Sequence, residues 1–252
     1  MFGQDEPILD EYCVEINGLS KSYGNQLVLN NVNMKLGSGG IYGILGRNGV
    51  GKTTLLECMI DLRPYKKGEV NILGESNIQK VKNKIGIQPQ EANLFPRQTV
   101  MEILQLFGSF YQDSINIVEL MDMLEMDKIK NKKVKDLSVG QRQRLLVSVA
   151  LVGNPDFIIL DEPTSGLDPQ IRHLIWDCLQ RMKEKGKTIL LSTHYMEEAE
   201  KICDMLYILH DTSIVAEGSP KSIIQQHRKT YSDRLEDVFI HITGKNIRGE
   251  ID

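Results

Sequence analysis

One stretch restricts this chain more than any other. In "IYGILGRNGVGKTTLLECMI" an apolar run leads into Gly46-Arg47-Asn48-Gly49-Val50-Gly51-Lys52-Thr53, and a helical pattern follows. The string is G-x-x-x-x-G-K-[ST] in a strand–loop–helix setting. The glycines let the backbone curl until its N–H groups point inward, where they meet phosphate oxygens. Lys52 would neutralise β- and γ-phosphate charge, and Thr53 would offer its hydroxyl to Mg²⁺. The bland reading, a glycine-rich turn, does not need the lysine and threonine that follow. The stretch predicts a nucleoside triphosphate site in an α/β fold.

The rest of the chain fits that class. Short β-like runs ("CVEING", "LVLNNVNMKL", "IYGIL", "GEVNILG", "KIGIQP", "FIILDEP", "TILLSTH", "MLYILH", "SIVAEG") alternate with helical patterns. This is the arrangement of α/β proteins with a largely parallel sheet. From about Thr99 to Gly153 only helices are predicted, with Ile117, Leu120, Met121 and Leu124 on one helical face. That segment reads as a helical insert. "QIRHLIWDCLQRMKEKG" predicts another amphipathic helix, with Ile171, Ile175, Cys178, Leu179 and Met182 on one side and Gly186 as its terminator. The predicted organisation is an acidic N-terminal extension over 1–11, a main domain over 12–230 with a helical subdomain at about 99–153, and a C-terminal extension over 231–252. The polar tail reads equally as a docking element or as partly disordered.

Composition narrows the setting. With 252 residues and a net charge of −4, the chain has no basic excess to suggest non-specific nucleic-acid binding. Its four cysteines are scattered and form no C-x-x-C pair, which argues against a zinc site and suits a reducing compartment. The acidic "MFGQDEPILDEY" is unlike a signal peptide. No run of about 18 apolar residues occurs, so a role at a membrane would need a partner.

Two further strand ends carry polar groups suited to hydrolysis. "FIILDEP" puts Asp161 and Glu162 at the end of an apolar run, and in open α/β sheets ligands lie at the carboxyl ends of strands. An Asp there suits Mg²⁺, and a second carboxylate suits a general base or a group that orients water. The alternative is a solvated turn. "TILLSTH" ends on His194, which could bond the γ-phosphate; a lone histidine at a strand end is more often structural. In "IGIQPQEANLF" either Gln88 or Gln90 could reach the metal or the water, and spacing does not choose between them.

A second helix start, "LSVGQRQRLL", also has the composition of an anion site, because the first N–H groups of a helix lack partners and carry partial positive charge. One nucleotide held at Lys52 already has its own helix start.

Seven pieces in order, "KSYG", the Gly46–Thr53 loop, "PQ", "LSVGQ", "ILDEP", "SGLD" and "STH", resemble the nucleotide-binding domain of ATP-binding-cassette (ABC) proteins. The resemblance covers about residues 12 to 220. It implies a P-loop NTPase of the ABC ATPase type, with a largely parallel core sheet, an antiparallel β subdomain and an α-helical subdomain. It implies ATP and Mg²⁺, with Gly46, Arg47, Asn48, Gly49, Val50, Gly51, Lys52, Thr53 and Thr54 around the phosphates and Tyr23 stacked on adenine. Thr53, Gln90 and Asp161 match the metal site, with Gln90 rather than Gln88 as the glutamine that senses the transmembrane partner. Glu162 matches the catalytic base and His194 the switch histidine.

Ser138, Gly140, Gln141 and Asp168 match residues that act across the interface with a second subunit, which the same likeness implies to be a homodimer. The second helix start then serves the other subunit's ATP, and Val139, where the family usually has glycine, need only point away. "SIVAEGSP" and Leu235-Glu236-Asp237-Val238-Phe239 resemble the bacterial branch that serves ABC-2-type exporters. That likeness implies an ATPase at the cytoplasmic face of the membrane, held there by a separate permease chain. Asp211-Thr212-Ser213 stands where a glycine-containing hairpin turn is usual, and should alter only the turn.

Other readings fit less well. Ribosome-acting ABC proteins resemble chains with two cassettes and a linker, and DNA-repair members carry long coiled-coil inserts; one cassette and no sustained heptad run are present here. A GTPase would show N-K-x-D, which is absent.

Overall fold

Side chains alternate along a strand, so a strand with apolar residues at every position must be covered on both faces. Strand β6 (Phe157–Asp161) is such a strand over its first four residues. Ile158 and Leu160 enter one core cluster while Phe157 and Ile159 enter the other. The structure, a computed structural model, describes residues 12–227 and 234–244.

The central sheet has six strands: β3 (Ile41–Leu45), β5 (Ile85–Gln88), β6, β7 (Thr188–Thr193), β8 (Met205–His210) and β9 (Ser213–Gly218). Their order is β5-β6-β7-β3-β8-β9, with the first five parallel and β9 antiparallel to β8. A second, antiparallel sheet is formed by β1 (Tyr12–Tyr23), β2 (Gln26–Gly37) and β4 (Lys67–Ile72), in the order β2-β1-β4. Between the two sheets lies the cluster that includes Ile44, Phe157, Ile159, Leu190 and Tyr207 of the central sheet, Val14, Ile16 and Leu36 of the second sheet, and Leu55 and Met59 of α1 (Lys52–Met59). The Tyr207 hydroxyl donates to Lys35 O at 2.5 Å and accepts from Lys35 N at 3.2 Å, which pins one sheet to the other.

The opposite face of the central sheet carries helices. Within the predicted helical segment lie α2 (Val100–Gly108), α3 (Ile117–Met123) and α4 (Val139–Leu151), with no strand among them. Leu120, Met121 and Leu124 are buried as expected, and Ile117 is half-buried. Buried Arg144 of α4 donates to the carbonyls of Leu124 and Glu125, both at 2.9 Å, and so satisfies orphan acceptors at the end of α3. Helix α5 (Pro169–Glu184) buries Ile175, Cys178, Leu179 and Met182, and Trp176 besides. Gly186, at φ 80°, follows it in the left-handed conformation of a helix terminator.

Two details differ from expectation. The β8–β9 turn keeps the left-handed geometry of a two-residue hairpin without any glycine, with Asp211 at φ 40° and Thr212 at φ 77°. The tail also contributes to the core. After α6 (Met196–Ile202) and α7 (Pro220–His227), α8 (Leu235–Thr243) buries Leu235, Val238 and Phe239 in the helical-side cluster. The N-terminal extension 1–11 and residues 228–233 and 245–252 of the tail lie outside the described residues.

Candidate active site

Strands β3, β6 and β7 are parallel neighbours, so their carboxyl ends meet on one edge of the sheet. Each ends in polar residues from a separate stretch of sequence. The loop after β3 runs through Gly49 at φ 77° and Gly51 at φ 113° into α1. Gly46 passes so close to β8 that a Cβ would lie 2.8 Å from Leu209 O. Lys52 folds back beneath the loop and donates to Gly46 O at 2.9 Å and Arg47 O at 3.1 Å.

The end of β6 faces this loop. Thr53 Oγ1 donates to Asp161 Oδ2 at 2.7 Å, and the Ser192 hydroxyl donates to Asp161 Oδ1. Two hard oxygen donors from different segments therefore stand together, the chemistry that suits a small divalent cation. Glu162 follows at φ 50°, a left-handed conformation that costs a non-glycine residue energy and is found where a side chain must be aimed. Its N–H donates to Ser192 Oγ at 3.0 Å and Ser192 O at 3.2 Å. One carboxylate oxygen lies 3.0 Å from Lys52 Nζ and the other 3.3 Å from His194 Nδ1. The histidine approach lacks hydrogen-bond alignment, and Nδ1 has no hydrogen-bond partner among the described residues.

Lys52, Thr53 and Glu162 open onto one cleft. Tyr23, Asn48, Gly49, Gly51, Lys52, Thr53, Thr54, Gln90 and Glu162 line it. His194, with Gly46, Arg47 and Asn48, borders an adjoining hollow closed by Met196 and Phe239. Gln88 is buried on β5, and its amide reaches the carbonyls of Pro89 and Asp161. Gln90 is exposed in the loop beyond and reaches the cleft. That loop is tied to α4, since Arg142 donates to Ala92 O at 2.5 Å. Tyr23 is 41% exposed at the cleft edge, with Lys21 Nζ 4.7 Å from its ring centroid.

Ser138, Gly140, Gln141 and Asp168 do not line this cleft. Ser138 caps α4 in a reciprocal box: its Oγ accepts from Gln141 N at 3.3 Å, and Gln141 Oε1 accepts from Ser138 N at 3.2 Å. Its hydroxyl proton stays available to an outside acceptor. Val139 is 70% exposed. Gly140 has room for a Cβ, the nearest atom being Ile171 Cγ1 at 3.5 Å, so nothing among the described residues demands glycine there. Asp168 caps α5 by accepting from Ile171 N at 3.1 Å.

Sequence reasoning passed over Ser192, Lys21 and Glu198. Ser192 stood in plain view in "STH", yet it reads as an ordinary strand residue until β6 and β7 pair. Burial pushes the Glu198 carboxyl above its usual pKa, against donation from Thr193, Trp176 and Thr164. The cysteines are buried as free thiols, and burial pushes Cys13 and Cys58 up to about 11 and Cys178 up to about 12. Thiolate chemistry at neutral pH is thereby suppressed.

Comparison with known proteins identifies the family. A family profile described as ABC transporter matches residues 29–165. The chain is 40% identical over 220 residues to Nod factor export ATP-binding protein I of Burkholderia lata, spanning 84% of this chain and 72% of that protein. It is 38% identical over 226 residues to the protein of that name from Rhizobium leguminosarum bv. viciae, spanning 86% and 73%. Among solved structures, the ATP-binding subunit of an ABC transporter superposes with a TM-score of 0.83 at 27% identity, covering 92% of this chain and 99% of that one. A dimeric bacterial ABC transporter cassette gives 0.73 at 28% identity, covering 82% and 98%. The chain therefore belongs to the ATP-binding cassettes of the ABC transporter family and is an ATPase coupled to transport.

Proposed function

We propose that the chain powers export through a separate transmembrane permease, and that two copies close head to tail around two ATP molecules. The observation that carries this reading is the division of the polar groups. Lys52, Thr53 and Glu162 line one cleft, with Asp161 bonded to Thr53 and His194 beside Glu162, while the Ser138 helix start and Asp168 stand outside it. Half of a nucleotide site is then offered to another copy. The relatives named for export support the direction of transport. No helix among the described residues is long and apolar enough to cross a membrane. The permease would hold the chain at the cytoplasmic face, with Gln90 and the helical segment as the contact.

Each residue has a task in this reading. Backbone N–H groups from Gly46 to Thr54 cradle the phosphates, and Lys52 exchanges carbonyl and carboxylate partners for phosphate oxygens. Tyr23 stacks on adenine. Thr53, Asp161 and Gln90 would hold Mg²⁺, which supplies charge neutralisation at the β- and γ-phosphates. Glu162 accepts a proton from the attacking water, and His194 fixes the γ-phosphate beside it. Ser138 Oγ and the Gly140 N–H bond the γ-phosphate held by the partner copy, with Gln141 beside the ribose and Asp168 crossing the interface. Loss of the γ-phosphate opens the pair, and that rigid-body change is passed to the permease.

The domain limits belong to the same reading: catalytic domain 12–230 with its helical subdomain at about 99–153, and extensions over 1–11 and 231–252. Burial of Leu235, Val238 and Phe239 ties the second extension to the catalytic domain.

Glu162→Gln tests the assignment. ATP and Mg²⁺ binding by calorimetry should persist while phosphate release falls by at least about 100-fold. Turnover at the unsubstituted rate removes Glu162 from the base role.

A further inference from the structure

Glu198 is a buried carboxyl that the hydrolytic scheme above does not use. It lies on α6, four residues after His194, and is 1% exposed. Its Oε1 accepts from Thr164 Oγ1 at 2.8 Å and from the Trp176 indole N–H at 2.9 Å. Thr164 belongs to the turn between Glu162 and Asp168, and Trp176 to α5. The Thr193 hydroxyl also acts on the carboxyl, yet Oε2 has no partner within hydrogen-bond geometry among the described residues. A carboxyl buried this deeply is costly unless its hydrogen bonds are complete, and here they are not. Packing alone would be served as well by an apolar side chain.

The connections around it give it a role. The turn after Glu162 is fully buried at Thr164 and exposed at Ser165, Gly166 and Asp168. A second strut joins the same two segments, because Gly166 N donates to the Tyr195 hydroxyl at 3.4 Å. Glu162 thus faces His194, while the turn that follows Glu162 is held by Tyr195 and Glu198 of the same segment. We infer that Glu198 is a positioning residue that holds Glu162 and His194 in register and links them to the turn carrying Asp168. The inference rests on the reading of Glu162 and His194 as the hydrolytic pair. A shift of the exposed part of that turn is carried through Thr164 to the Glu198 carboxyl and so to the base of the His194 segment.

Thr164→Val removes one arm of the tie with little change in volume, and Trp176→Phe removes the other. In the full chain, Thr164→Val should lower kcat about tenfold with KM for ATP and melting temperature nearly unchanged. Glu198→Ala should lower kcat likewise, Glu198→Gln should recover the rate because its amide oxygen still accepts, and Trp176→Phe, which leaves the Thr164 arm to the turn intact, should stay near the unsubstituted rate. Trp176 is the single tryptophan of the chain, so its emission reports on Glu198 without turnover. ATP should shift that emission in the unsubstituted chain, and the shift should shrink in Thr164→Val. Unchanged kcat in Thr164→Val, a parallel fall of kcat, affinity and melting temperature, or emission blind to ATP would each overturn the inference. Glu162→Gln run beside these variants separates the outcomes: full turnover there defeats the hydrolytic reading itself, whereas its loss with an unaffected Thr164→Val defeats only the role of Glu198.

Discussion

Lys52 Nζ and Glu162 Oε1 stand 3.0 Å apart, with only 4% and 8% of the two side chains exposed. The cation that would hold phosphate and the carboxylate that would receive a proton from water are thus bound to each other. A pair so little exposed is weak evidence of net stability, but removal of one member leaves the other charge buried without compensation. Lys52→Ala should therefore lose ATP affinity and also lose about 3 kcal/mol of stability in urea unfolding. Lys52→Ala/Glu162→Ala should regain part of that stability, since neither charge is left alone. If the single and double variants unfold at the same urea concentration, the ion pair is not what binds the start of α1 to the end of β6.

The turn between β8 and β9 gives a second prediction. Thr212 is β-branched and sits at φ 77°, a conformation that costs an L-residue about 1–2 kcal/mol. Its carbonyl accepts from Asn30 N at 2.8 Å, a backbone contact that a substitution would keep. Thr212→Gly should raise stability by about 1 kcal/mol and leave ATPase turnover alone. A loss of stability would show that the threonine side chain has a favourable partner that outweighs the strain.

Glu198 predicts a pH dependence of stability. Burial raises its pKa in the folded chain above the ordinary 4.5. As pH rises through the ordinary value, the unfolded chain loses this proton while the folded chain retains it, and folding is progressively disfavoured. Glu198→Gln has no proton to lose. Its melting temperature should gain on that of the unsubstituted chain between about pH 4 and about pH 7. A difference that stays constant over this range would mean that the carboxyl ionises normally in the fold.

The contrast between Glu197 and Glu198 shows where sequence reasoning stops. In "MEEAEK" the two look alike, part of a solvated acidic helix face. Only the packing of α6 against α5 and the turn after β6 distinguishes them: Glu197 is half-exposed and pairs with Lys201, while Glu198 is buried. The phosphate loop was legible because its chemistry is local, a run of eight residues with glycines where the backbone must curl. Asp161, Glu162 and His194 were legible because apolar runs end at them and strand ends collect ligands. Gln88 and Gln90 were not separable by spacing; the end of β5 separates them, burying one and exposing the other. Burial of helix α8 in the core was hidden because its partners lie far away in sequence. Strain at Thr212 was equally hidden, since a departure from the usual turn residues does not say whether the backbone or the residue gives way.

The central claim is that Ser138 and Gly140 complete the nucleotide site of another copy. Light scattering coupled to size exclusion tests it most directly, with Glu162→Gln in ATP compared with Glu162→Gln/Ser138→Arg. The first should run at twice the monomer mass with ATP and at the monomer mass without it. The second should remain monomeric while binding ATP with unchanged affinity. A double variant that dimerises in ATP as the single one does would contradict the account and leave Ser138 as the cap of α4 alone.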